Sequence, residues 1–228
     1  MSRSVKAKTR RPYDGSGRQV AASQTRRKIL DAARALFLAR GYAQTTMPAI
    51  ASAAGVSVET IYLSVGPKAA LVRRLVETAL SGAEVPIPAL EREGVPEILS
   101  EPDPRRKLAL FAGFVRRLQE RLAPIWAVVM EAAPGEAELA SLVRELNERH
   151  IGNMRRFVDH LAAAGDLRAG LSREVAADIV WATNSPELYR LLVQGRGWSG
   201  DNFERWLAAA WERLLINDAP GQLLGKPG

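Results

Sequence analysis

Apolar residues recur along this chain at the three-and-four spacing of an α-helix, and nowhere does apolar–polar alternation last long enough to build a strand. Ile29, Ala32, Ala33, Leu36 and Phe37 share one helical face, and Gly41 follows where a C-terminal stop belongs. Thr46 is placed to cap a second helix running to Ala54, with Pro48 in its first turn. Gly55 breaks it, Ser57 can cap a third over 58–65, and Gly66-Pro67 opens a fourth that reaches residue 80. Prolines then punctuate 81–103, a loop long enough to hide one short helix near 97–99. Further helices are expected over 104–121 behind Asp103-Pro104, over 124–133 from Pro124, and over 136–164 up to Gly165. Ser172 and Asp201 are expected to cap two more, and Ser185-Pro186 between them either caps a continuation or kinks the same helix. The pattern predicts an all-α fold of about nine helices, a three-helix head on a larger helical body.

Composition narrows the chemistry. The 228 residues are enough to bury a core without staples, and no cysteine is present. That excludes a disulfide scaffold, thiol catalysis and Cys-ligated zinc. The two histidines, His150 and His160, lie ten apart, far from the i,i+4 pair a helical metal site prefers, and read as surface or satisfied helix residues. Neither a metal nor a cofactor is expected. The longest nearly apolar run, 122–130, is interrupted by Pro124 and too short to span a bilayer. No apolar stretch follows the basic N-terminus, so a cytoplasmic location without membrane contact is expected.

The charge is unevenly placed. Residues 1–82 hold 14 Lys and Arg against four Asp and Glu, and the rest of the chain is net acidic. A basic third points to a polyanion such as double-stranded DNA. Residues 1–22, with Arg3, Lys6, Lys8, Arg10, Arg11 and Arg18, are too polar to fold alone and read as a disordered basic arm.

The segment TMPAIASAAGVSVETIYLSVGPKAAL carries the functional argument. A helix-turn-helix needs a small residue where two helices cross, a glycine where the turn takes positive φ, and an apolar anchor inside the second helix. Ala51, Gly55 and Ile61 stand at those places, with Ile50, Val56 and Val65 completing the inner face. Glu59, Thr60, Tyr62, Leu63 and Ser64 are left outside, where a major groove could sit.

With its surroundings the segment resembles the TetR family of bacterial one-component transcriptional regulators. The resembling residues are Gly41-Tyr42, Thr45-Thr46, Ile50-Ala51, Ala54-Gly55-Val56-Ser57, Thr60-Ile61-Tyr62, Lys68 and Leu71. Val65 stands where the family usually has Phe, Ala69 where Glu is frequent, and Ser64 where His is common. The resemblance implies a DNA-binding head over 23–68 and a ligand-binding and dimerisation body over 69–228. Thr46, Tyr62 and Lys68 match the family's phosphate contacts. Val58, Glu59, Thr60, Leu63 and Ser64 are candidate base readers, and Arg26 supplies sequence-independent attraction to the backbone. Thr45 and Ser57 complete the candidate DNA-binding set.

The resemblance also implies a cavity in the body for a small apolar or amphipathic effector. Its candidate lining is Phe111, Phe114, Trp126, Met130, Phe157 and Trp181, with Asn184 as the polar group that fixes orientation. Trp126 and Met130, four apart, are expected to face the same way. The last helices carry an apolar stripe of Phe203, Trp206, Leu207, Ala210, Trp211 and Leu214. With Leu188 and Leu191 it is the candidate interface of a homodimer, the alternative being an intramolecular core stripe.

The expected function is therefore a ligand-responsive regulator, a repressor by family habit, that binds a palindromic operator as a homodimer and is released by its effector. The alternative is a non-specific architectural DNA-binding protein. No nucleophile elbow, P-loop, HExxH or dinucleotide fingerprint is present, and an enzyme is not expected.

Overall fold

The computed structural model describes residues 16–83 and 87–216. Ten α-helices run through them: α1 (Ser16–Gln44), α2 (Met47–Ala54), α3 (Val58–Ser64), α4 (Lys68–Ser81), α5 (Val95–Ser100), α6 (Pro104–Ala132), α7 (Ala137–Ala163), α8 (Arg173–Thr183), α9 (Pro186–Tyr189) and α10 (Gly200–Leu215). Among the described residues β-pairing is limited to one isolated antiparallel bridge, Leu167 to Ile216. No described helix is long and apolar enough to cross a membrane.

Local chemistry sets most boundaries. The Thr46 hydroxyl accepts from the Ala49 amide, the Ser57 hydroxyl from Thr60, and the Ser172 hydroxyl from Val175. Each satisfies one of the amides that a helix start leaves without a partner. The Asp103 carboxylate takes two, from Arg105 and Arg106, before Pro104 enters at the first helical position.

The structure departs from the sequence reading in four places. Helix α1 already runs from Ser16, so residues 16–22 are helical rather than part of an arm; residues 1–15 of that arm lie outside the described residues. Gly41 does break α1, with φ 74° and ψ 175°, but the chain resumes a further turn to Gln44. Pro124 does not start a helix: α6 passes through it, because packing on both sides outweighs the one hydrogen bond that proline removes. The last helix is capped by Ser199, whose hydroxyl accepts from Asn202, and Asp201 lies in its first turn instead.

The apolar interior forms two clusters that meet along α6. One joins the head, α4, the second half of α6 and the first half of α7, and includes Ile29, Phe37, Ile50, Ile61, Leu71, Ile125, Val129 and Leu142. The other fills the body between α5, the first half of α6, α7, α8 and α10, and includes Leu108, Val115, Phe157, Ala177, Phe203 and Trp211. Arg121, near the boundary, donates from Nε to the Ala79 carbonyl and closes the end of α4.

Candidate functional site

In the head, α2 and α3 cross at the turn the sequence indicates. Gly55 sits in the left-handed region at φ 69°, and its amide reaches back to the Ala51 and Ser52 carbonyls. Ile61 is fully buried, as are Ile50, Ala33, Phe37 and Ile29 beneath it. Because Ile61 anchors one face of α3, the opposite face is turned outward. Leu63 is 89% exposed and Tyr62 53%, an unusual display for large apolar side chains on a short helix.

Glu59 lies on the same exposed face. Its carboxylate is held below the usual range by its own backbone amide and then by the Ser57 hydroxyl, so it is a charged acceptor at neutral pH. Ser57 also bonds Thr60, oxygen to oxygen at 3.0 Å. Val58, Thr60 and Ser64 are half-buried, Val58 packing against the head core. Arg26 and Thr46 are exposed.

Two residues of the candidate DNA-binding set are engaged internally. Thr45 is 1% exposed and donates its hydroxyl to the Gly41 carbonyl at 2.8 Å, so it belongs to the inside of the head and not to its surface. Lys68 is half-buried. Its Nζ donates to the Tyr42 and Thr45 carbonyls at 3.0 and 3.3 Å and stands 3.9 Å from the centre of the Tyr42 ring. A lysine in the first turn opposes the helix dipole. Here the carbonyls that end α1 and the ring face offset that cost. The sequence gives no hint of this contact, since its partners lie 23 and 26 residues away.

The body holds a cavity of about 450 Å³, walled by α5, α6, α7 and α8 and by the turn into α9. Phe111, Phe114, Trp126, Phe157, Trp181 and Asn184 all line it. Phe111 stacks on Phe157 at 4.2 Å and on Trp211 at 5.1 Å, which fixes the aromatic wall. Met130 is not part of it. Trp126 is 5% exposed but Met130, one turn further along α6, is 42% exposed and lies past the end of the cavity.

Several polar lining residues were not among the candidates, Gln119, Glu187, His150 and Arg92 among them. Gln119 is buried, and its Nε2 donates to the Asn184 backbone carbonyl at 2.8 Å and to Oδ1 at 3.3 Å. Turning this amide over would set oxygen against oxygen, so its orientation is determined. The remaining Gln119 Oε1 and the Trp181 Nε1 are buried without hydrogen-bond partners. Glu187 accepts from Trp126 Nε1 at 2.7 Å. His150, expected to be a surface or satisfied helix residue, lines the cavity, and burial pushes its pKa down to about 4, so it is neutral. Arg92 enters from the loop before α5. Gln119 had a sequence signal, a lone amide in the Phe111–Val115 row of α6 at i+4 spacing. Arg92 sits in irregular chain and had none.

The apolar stripe of the last helix divides into two seams. Phe203, Leu207 and Trp211, at i+4 intervals, are fully buried against the chain's own core, and Trp211 Nε1 donates to Thr183 Oγ1 at 2.7 Å. They are interior residues, not interface candidates. Trp206, Ala210 and Leu214 form the neighbouring seam: Trp206 is 37% and Leu214 42% exposed, and Ala210 is half-buried. Leu191 is 65% exposed and Leu188 half-buried on the segment before it. Leu188 lies on α9, and Leu191 on the π-helical turn that follows it, Arg190–Gly195.

Comparison with known proteins agrees with this geometry. Residues 29–75 match the family model described as bacterial regulatory proteins, tetR family. No curated protein sequence matches the chain. Among solved structures, native NalD, the secondary repressor of the MexAB-OprM multidrug efflux pump in Pseudomonas aeruginosa, is similar at 25% identity. The likeness covers 87% of this chain and all of that one, with a TM-score of 0.67. The SmeT–triclosan complex is similar in fold at 20% identity, over 90% of this chain and 99% of that one, with a TM-score of 0.64. So is a transcriptional regulator from Saccharomonospora viridis in complex with choline, at 21% identity over 86% and 100% of the two chains, with a TM-score of 0.64. The chain thus carries, in its head, a segment that matches the tetR family model, on a fold similar to that of NalD.

Proposed function

We infer that the protein is a cytoplasmic, ligand-responsive repressor that binds a palindromic operator as a homodimer and leaves it when an effector fills the body cavity. The observation that carries this reading is the outward face of α3. Tyr62 and Leu63 expose apolar surface that a folded protein normally covers, beside the ionised Glu59 and within the basic third of the chain. A major groove would cover it: Leu63 can meet a thymine methyl and Glu59 can accept from cytosine N4. Thr46, Ser57, Thr60, Tyr62, Ser64 and Arg26 would hold phosphates or base edges around them, with Val58 supporting from its half-buried position.

Dimerisation through the exposed Leu191, Trp206 and Leu214, with the half-buried Leu188 and Ala210 beside them, would set two copies of α3 about one DNA turn apart. An effector then acts by binding one arrangement of the heads better than the other.

Selection of sites from random duplex DNA at about 150 mM salt, where bare phosphate attraction is screened, tests the reading. Recovery of a palindrome supports it. Retention of DNA only at low salt, with no enriched sequence, overturns it in favour of a non-specific architectural binder.

A further inference from the structure

The walls of the cavity are apolar, yet its charged lining residues are three arginines, Arg92, Arg149 and Arg156, against the single carboxylate of Glu187. The charges are not equivalent. Arg149 is paired with Glu145 at 3.3 Å, and Arg156 donates to Asn153 Oδ1 at 3.2 Å. Glu187 is occupied by the Trp126 indole. His150, being neutral, adds no charge.

Arg92 stands apart. It is half-buried, its Nε donates to the Ile87 carbonyl at 3.3 Å, and among the described residues no carboxylate pairs with it. Its guanidinium is pulled below the usual range first by burial and then by the like charges of Arg149 and Arg121. A cation so placed gains from an anion, and its Nε contact fixes the plane of the fork. A planar guanidinium with two terminal nitrogens to spare matches a carboxylate in bidentate geometry.

We propose that the cavity selects an amphipathic carboxylate, whose anionic head is held at the mouth by Arg92 while its apolar body lies among Phe111, Phe114, Phe157 and Trp126. This rests on the effector cavity inferred above and names the class of molecule it takes. A cavity of this size accommodates a ligand of drug-like dimensions, and a few placed polar groups are enough to orient it.

The test compares decanoate with 1-decanol, which share the ten-carbon chain and differ in the charge of the head, on the full-length protein. Tryptophan fluorescence and calorimetry would read the affinity at about 150 mM salt. Decanoate should bind about tenfold or more tightly than decanol. Arg92→Gln should weaken decanoate by about 10- to 100-fold, the usual size of a charge-assisted hydrogen bond, and leave decanol unchanged. Arg92→Lys should recover part of the loss. Unchanged decanol binding together with an unshifted thermal midpoint shows that the variant is folded.

Equal binding of the two probes overturns the preference for an anion and leaves the effector cavity standing. A preference for decanoate that survives intact in Arg92→Gln removes Arg92 as its cause and overturns the proposal. Binding of neither probe overturns the proposal, and operator selection then decides the regulator reading separately.

Discussion

Gly41 is the residue on which the head's geometry depends most. At φ 74° and ψ 175° it occupies a region open in practice only to glycine, and an added Cβ would stand 3.1 Å from Glu131 Oε1 on α6. Gly41→Ala is expected to cost about 1–3 kcal/mol, read as a lowered urea midpoint with an unchanged slope. His150 gives a pH signature. Its pKa falls from 6.5 unfolded to about 4 folded, because burial disfavours the imidazolium more than Glu187 favours it. Between those values the unfolded chain takes up a proton that the folded chain refuses. Stability is therefore full above pH 6.5, falls as the pH drops towards 4, and levels off below. The partial exposure of the ring trims the effect to about 1–2 kcal/mol. His150→Gln should remove that share of the slope when urea unfolding is compared across the window; an unchanged slope would show that the imidazole is hydrated.

At the scale of the element, most of the fold was legible because helix ends are written in short-range chemistry. Thr46, Ser57, Asp103, Ser172 and Ser185 all cap where their sequence neighbours imply. What failed were inferences about which neighbour an apolar residue meets. The α10 stripe looked like one surface; the fold splits it, with Phe203, Leu207 and Trp211 inside and Trp206 and Leu214 outside. Pro124 looked like a boundary, yet tertiary packing carried α6 across it. The aromatic wall of the cavity was implied by the family resemblance, whereas residue types alone read as plain core; Arg92 and the internal use of Lys68 were not legible, since both depend on distant chain. Two predictions belong here. Thr183→Val leaves the buried Trp211 indole N–H without its acceptor and should destabilise by about 1–3 kcal/mol, measured by calorimetric midpoint. Asp103→Ala removes the cap of α6 and should cost about 1 kcal/mol, read from the denaturant midpoint.

For the whole molecule, the exposed seam of Leu191, Trp206 and Leu214 is the surface on which assembly is proposed. Leu191→Glu combined with Leu214→Glu should yield a folded monomer in sedimentation equilibrium and lose tight binding to a palindrome, since each half-site would then be held by one head alone. A variant that stays dimeric would move the interface elsewhere. The division of the interior has a different consequence. Ile125, Val129 and Leu142, on α6 and α7, lie in one apolar cluster with Ile29, Phe37 and Ile61 of the head. The head is thus not a detachable cassette. A chimera cut after residue 68 that borrows a foreign body would leave those head side chains facing a mismatched wall. A transplanted head is therefore expected to keep its fold only where the adjoining turns of α6 and α7 travel with it.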